Sequence, residues 1–267
     1  VTVHAHADGG PAALLVLAAP LAALLLYAWG VRRVRHAGRP WSPRRTAAFA
    51  LGTVLLAVSL APPLAGHEDF RAHVAQHLLL GMLAPVALAL GAPATLALRA
   101  TRREARRPLA PLLRGGVLRA ATHPASVVLL NAGGLFALYL TPLYAATRES
   151  AGLHVLVHAH MLVAGYLLAW TLVAADPVPH RPGTATRLAA LLAAAAAHAV
   201  LAKLLYAHGL AGDAGHTAAE VRAGAELMYY GGDVAEIALA IAVLAGWRRE
   251  RVRRDRRRAV AAGVAVA

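Results

Sequence analysis

The sequence predicts an all-α, polytopic membrane protein with seven transmembrane helices, its N-terminus outside and its C-terminus in the cytoplasm. Three observations carry that expectation. Hydrophobic residues fill 59% of the 267 positions and the mean hydropathy is +0.55, too apolar for a soluble domain of ordinary composition. The apolar residues fall in seven long runs, at 12–30, 46–65, 71–98, 124–143, 152–175, 186–208 and 222–247. The basic residues gather between those runs, almost all on one side. A hydrocarbon core of ~30 Å needs about 20 apolar residues per helix, and the runs are of that order. Short segments of alternating polarity, the mark of a membrane barrel, are absent.

The first run follows VTVHAHADGG, which offers no basic stretch ahead of it, and ends in VRRVRHAGR. That is the pattern of an uncleaved span rather than a signal peptide. Six arginines follow the first run, seven the third, two the fifth and eight the seventh, while only Arg71, Arg148 and Arg222 flank the opposite ends. The positive-inside rule then sets the orientation. The expected organisation is an extracytoplasmic His-containing tail at 1–11, a membrane domain at 12–247 and a basic cytoplasmic tail at 248–267. The net charge of +14 is thereby assigned to anchoring at an anionic lipid bilayer through WRRERVRRDRRR, not to nucleic acid. The longest loop, 99–123, is basic and carries no nucleotide-binding motif. Cysteine is absent, which excludes disulfides, thiolate metal sites and thiol redox chemistry.

The fourteen histidines are distributed oppositely to the arginines. His36, His123 and His180 fall on the arginine side and His198 lies deep in the sixth run; the other ten are outside or in the outer part of a run. His73 and His77 open the third run, in HVAQHLLLGMLAP, and His154 and His158 open the fifth, in HVLVHAHMLVAGY. Residues four apart share a helix face. Both runs head inward, so at a rise of ~1.5 Å per residue the four imidazoles should reach one depth. Gly81 continues one stripe, Met161 and Gly165 the other, and small residues let two helices approach closely.

Four imidazoles meeting in an outer-leaflet pocket would suit copper, zinc, iron or nickel, and the Met161 thioether tilts the choice to copper as Cu(I). Ligating imidazoles are neutral, so binding should weaken as pH falls toward ~6.5. The plain alternative is that these histidines only hydrogen-bond across a helix interface. Ionisable groups within hydrocarbon are nevertheless functional candidates by default. Outside the membrane, His67 with Glu68 and Asp69, and His4 with His6, are placed to collect cations. In the last run Asp233 is too deep to reach the surface; it reads as an ion-pair partner of Lys203, as a further metal ligand or as part of a proton path.

The stretches HVAQHLLLGMLAPVALALGAP (73–93), HVLVHAHMLVAGYLLAW with the following DPVP (154–179) and YYGGDVAEIALA (229–240) resemble the multi-span CtaG family of cytochrome c oxidase assembly factors. The resemblance covers most of 46–250. It implies a non-catalytic role in maturing a haem-copper oxidase at the outer face of the bacterial cytoplasmic membrane, by handling copper, with an oxidase subunit as partner. The family's histidine motifs fall on His73, His77, His154 and His158. Other readings stay open at this point. One is an intramembrane zinc-dependent hydrolase with Asp233 or Glu236 as base; others are a copper transporter and a b-type haem protein. Homodimerisation stays open too.

Overall fold

The structure is a computed structural model that describes residues 11–62, 64–65, 69–101, 115–179, 181–210 and 215–261. With few exceptions the apolar runs have become helices, as backbone groups without access to water require. They are α1 (Pro11–His36), α2 (Pro43–Ser59), α3 (Phe70–Leu90), α4 (Pro93–Ala100), α5 (Gly116–Ala121), α6 (Pro124–Leu140), α7 (Leu143–Glu149), α8 (Ala151–Val173), α9 (Thr184–His208) and α10 (Ala218–Ala261). No strand occurs among the described residues.

Five of these helices, α1, α3, α8, α9 and α10, are long and apolar enough to cross a membrane; the count is six if α6 and α7, bent by 76°, form one broken span. The expected second span is α2, which has only 17 residues. The third run does not continue to residue 98. It breaks at Gly91 and Ala92, where Ala92 takes φ 53°, and Pro93 then opens α4 in the first-turn position that tolerates proline.

α3 is central, packing against α2, α8 and α10, while α1 lies on α2 and α4. Pro85 in its middle has no N–H to give the Gly81 carbonyl, and its ring crowds that carbonyl. A π-helical turn at Leu79–Leu83 accommodates the defect. Gly165 of α8 lies directly against the Gly81 carbonyl, where a Cβ would overlap the oxygen. The small-residue stripe is thus realised as backbone-to-backbone contact. Away from this seam, Leu21, Leu25, Leu26 and Trp29 on α1 and Val234, Ile237 and Ile241 on α10 are exposed, the apolar outer face that a spanning helix presents to lipid.

The arginine-rich end is held by two polar anchors. Arg187 is buried and donates to the Leu172 carbonyl at 3.2 Å and to Thr184 Oγ1 at 3.2 Å. Glu250 of α10 lies 3.9 Å from it and also pairs with Arg181. Asp176, in the loop after α8, accepts from the N–H groups of Ala94 and Thr95 at 2.9 and 2.7 Å and from Thr95 Oγ1. It therefore caps α4 from a distant part of the chain. Asp176→Ala should cost about 2 kcal/mol by orphaning those donors, read as a lowered Tm in detergent with the helical content unchanged.

Candidate metal centre

Two caps set the depth of the histidines. Asp69 accepts from the Arg71 N–H at 2.8 Å to start α3, and Ser150 accepts from the Leu153 N–H at 3.3 Å to start α8. His73 and His154 are each the fourth residue of their helix. The side chains that follow meet between α3, α6 and α8.

His73, His77 and His158 are all buried. The His73 and His158 ring centroids are 6.0 Å apart, and those of His154 and His158 are 4.0 Å apart. His154 itself is half-buried, at the rim. His73 Nε2 is 3.1 Å from the Tyr139 hydroxyl, which is 3.5 Å from His77 Nδ1. One phenol thus joins two imidazoles. His158 Nδ1 donates to the His154 carbonyl at 2.8 Å, and its Nε2 is 3.0 Å from Gln76 Oε1. Gln76 in turn donates to the Ser59 carbonyl at 2.8 Å, which ties the cluster to α2. Both His158 ring nitrogens thus face oxygen atoms, and Nε2 becomes a ligand atom only when the Gln76 amide turns away.

A second layer covers the cluster at its outer end. The Tyr144 ring is 4.8 Å from His73, and its hydroxyl donates to His216 Nε2 at 2.9 Å. Arg148 Nη1 reaches the same nitrogen at 3.2 Å, and Phe70 packs 5.4 Å from the His216 ring. Burial, and then the nearby Arg148 charge, push the His216 imidazole below its ordinary range. It stays neutral and accepts from both donors.

Met161 lies one turn below His158 and shares with His77 a cavity of about 10 Å³. Among the described residues no group of three or more His, Asp or Glu side chains is arranged to hold one metal ion. The fold therefore brings three predicted histidines together, with His154 beside them and Met161 beneath. It does not bring Asp233 there. Asp233 lies deeper, within electrostatic reach of His198 and Glu236. The expected Asp233–Lys203 ion pair does not form; Lys203 Nζ instead lies 5.4 Å above the Tyr229 ring. His198 and Lys203 are five residues apart, about 140° around the helix, so the lysine faces outward where the histidine faces in. His67, His4 and His6 lie outside the described residues.

Several functional side chains escaped the sequence reading. Tyr139 and Tyr144 come from α6 and α7, whose run carries no histidine to draw attention to it. Gln76 lies within the HVAQH motif itself, as the only other polar side chain between its two histidines, and that signal was available.

Residues 25–250 match the family described as cytochrome c oxidase caa3 assembly factor (Caa3_CtaG). The chain is 32% identical over 182 residues to an uncharacterized protein of Mycobacterium leprae, covering 65% of this chain and 28% of that one. It is 31% identical over 194 residues to an uncharacterized protein of Mycobacterium bovis, covering 69% and 29%. The chain thus spans less than a third of the length of the relatives it matches. No solved structure matches it.

Proposed function

The chain belongs to the family of cytochrome c oxidase caa3 assembly factors, and on that footing we propose that it binds copper between α3 and α8 and delivers it to a haem-copper oxidase. The observation that carries this reading is the burial of His73, His77 and His158 side by side from two helices that are distant in sequence. Imidazoles withdrawn from water inside an apolar bundle are expensive unless they serve a site. The donor set fits the cargo: neutral imidazole nitrogens with the Met161 thioether nearby suit Cu(I).

The arginine distribution supports an N-terminus outside and a C-terminus in the cytoplasm; on this reading α2 and the bent α6–α7 pair bring the five long spans to seven. The histidine end is then the outer one. Copper arrives there, first meeting His67 and the tail histidines His4 and His6. His73 and His158 bind it once Tyr139 and Gln76, which meet their Nε2 atoms at 3.1 and 3.0 Å, give way to the ion, and His154 stands at the entrance. The incomplete ligand set favours transfer, because an ion with few protein ligands can exchange them for those of an oxidase subunit docked at the side of the bundle. The protein binds, orients and releases; it performs no bond-breaking chemistry.

Elemental analysis of the purified full chain, loaded with Cu(I) and then desalted, tests the reading. Stoichiometric copper that a strong Cu(I) chelator removes is the expected result. Tightly held zinc in place of copper, or no retained metal, would overturn it.

A further inference from the structure

His198 has no part in binding at the level of His73 and His158. It lies on α9, deeper in the bundle, and is only 4% exposed. Its Nδ1 is 3.5 Å from a Glu236 carboxylate oxygen on α10, and its buried Nε2 has no hydrogen-bond partner. Buried polar atoms are nearly always paired, and an unpaired one costs ~1–3 kcal/mol. The bundle makes room for this ring at some expense: Gly232 packs so closely on the imidazole that a Cβ there would overlap it. An apolar side chain would fill the same space without stranding a nitrogen.

Three features meet at that nitrogen. A carboxylate 3.5 Å from one ring nitrogen, with the other nitrogen lacking a hydrogen-bond partner, is the setting of metal-ligating histidines. The His77 ring centroid is 6.4 Å from that of His198, and His77 has its Nδ1 toward Tyr139, leaving its Nε2 as the remaining donor. Nitrogen binds a first-row ion at ~2.0 Å, so two imidazoles on opposite sides of one ion have centroids roughly 6 Å apart. Finally, His198 and Glu236 line a cavity of about 30 Å³ that shares Gly81, Met82 and Asn131 with the smaller cavity at His77. That space exceeds the ~10–15 Å³ that one water needs, and Met82 sets a thioether at the junction.

We infer that His77 and His198 form a second Cu(I) site, one step deeper than the His73–His158 pair, with Glu236 orienting His198 and the Met82 thioether beside it. The inference rests on the copper-handling reading and divides the histidines of α3 between two stations. His73 belongs to the outer one and His77 to the deeper one, with the Tyr139 hydroxyl between them. Copper held at the deeper station lies farther from the outer surface and is passed outward by exchange of imidazoles.

The test is Cu(I) titration of the full chain in detergent, without oxygen, against a chromogenic Cu(I) chelator. Wild type should take two equivalents. His198→Leu should take one, and the His73→Ala/His158→Ala variant should keep one. Glu236→Gln preserves size and burial, so it also serves if His198→Leu fails to fold; it should weaken one of the two equivalents 10–100-fold. Wild-type stoichiometry and affinity in both His198→Leu and Glu236→Gln would overturn the deeper site while leaving copper handling intact. A wild-type protein that takes up no copper would overturn both.

Discussion

Protein in which His73, His77, His154 and His158 are all alanine should leave a desalting column free of copper under conditions where wild type keeps it. The four side chains supply the imidazoles at the α3–α8 seam, and the groups that remain there, the Met161 thioether, the Gln76 amide and the Tyr139 hydroxyl, are weak ligands for Cu(I) by themselves. His198 alone does not compensate, because a single imidazole leaves the ion mostly solvated. The cavities left behind will lower stability, so the comparison needs material that is monodisperse and helical. A parallel set of His→Gln changes keeps polarity and much of the volume, and should lose copper equally. His154→Ala alone, at the rim, should keep most of it. Retention of wild-type copper by the fourfold alanine variant would sink the assignment.

Gly165→Ala should be the most damaging single methyl in the membrane region. A Cβ at this position would overlap the Gly81 carbonyl oxygen, and would come within 2.9 Å of the carbonyl carbon and 3.2 Å of the Pro85 ring. None of these atoms belongs to a side chain that can rotate away. Relief requires α8 to move off α3, which costs about 3 kcal/mol, roughly a hundredfold in the folded fraction. The same shift separates His158 from His73, so copper capacity should fall together with Tm. Gly152→Ala is the control. It is on the same helix, a Cβ there meets nothing within 4 Å, and alanine is the better helix former. Equal Tm for Gly165→Ala and wild type would mean that the α3–α8 seam is wrongly described.

How far these features could be read in advance depended on whether they reside in one helix or between two. The apolar runs foretold each long helix, because burying a backbone away from water leaves little choice of conformation. The depth of His73 and His154 was legible too, since it follows from where each helix begins. Azimuth was not. Whether His154 turns inward beside His158, or stays half-exposed at the rim, depends on how α8 is rotated against α3. That rotation is set by Gly165 seating on the Gly81 carbonyl. Lys203 and Asp233, opposite in charge, never meet, because Lys203 faces outward over Tyr229, one turn short of Asp233 on α10. The break at Gly91 and Ala92 had a visible cause in Pro93, but a continuous apolar run concealed it. Tyr139 was invisible because a lone tyrosine in a span usually marks packing.

The last helix has a mechanical consequence. α10 runs 44 residues without interruption, about 66 Å at 1.5 Å per residue, against a hydrocarbon thickness of ~30 Å. Its exposed arginines from Arg248 to Arg258 therefore ride on a stiff mast and not on a slack tether. A partner or headgroup that grips them does so at a fixed standoff, and the torque it applies is carried along one rod to Glu236 and Gly232, against which His198 rests.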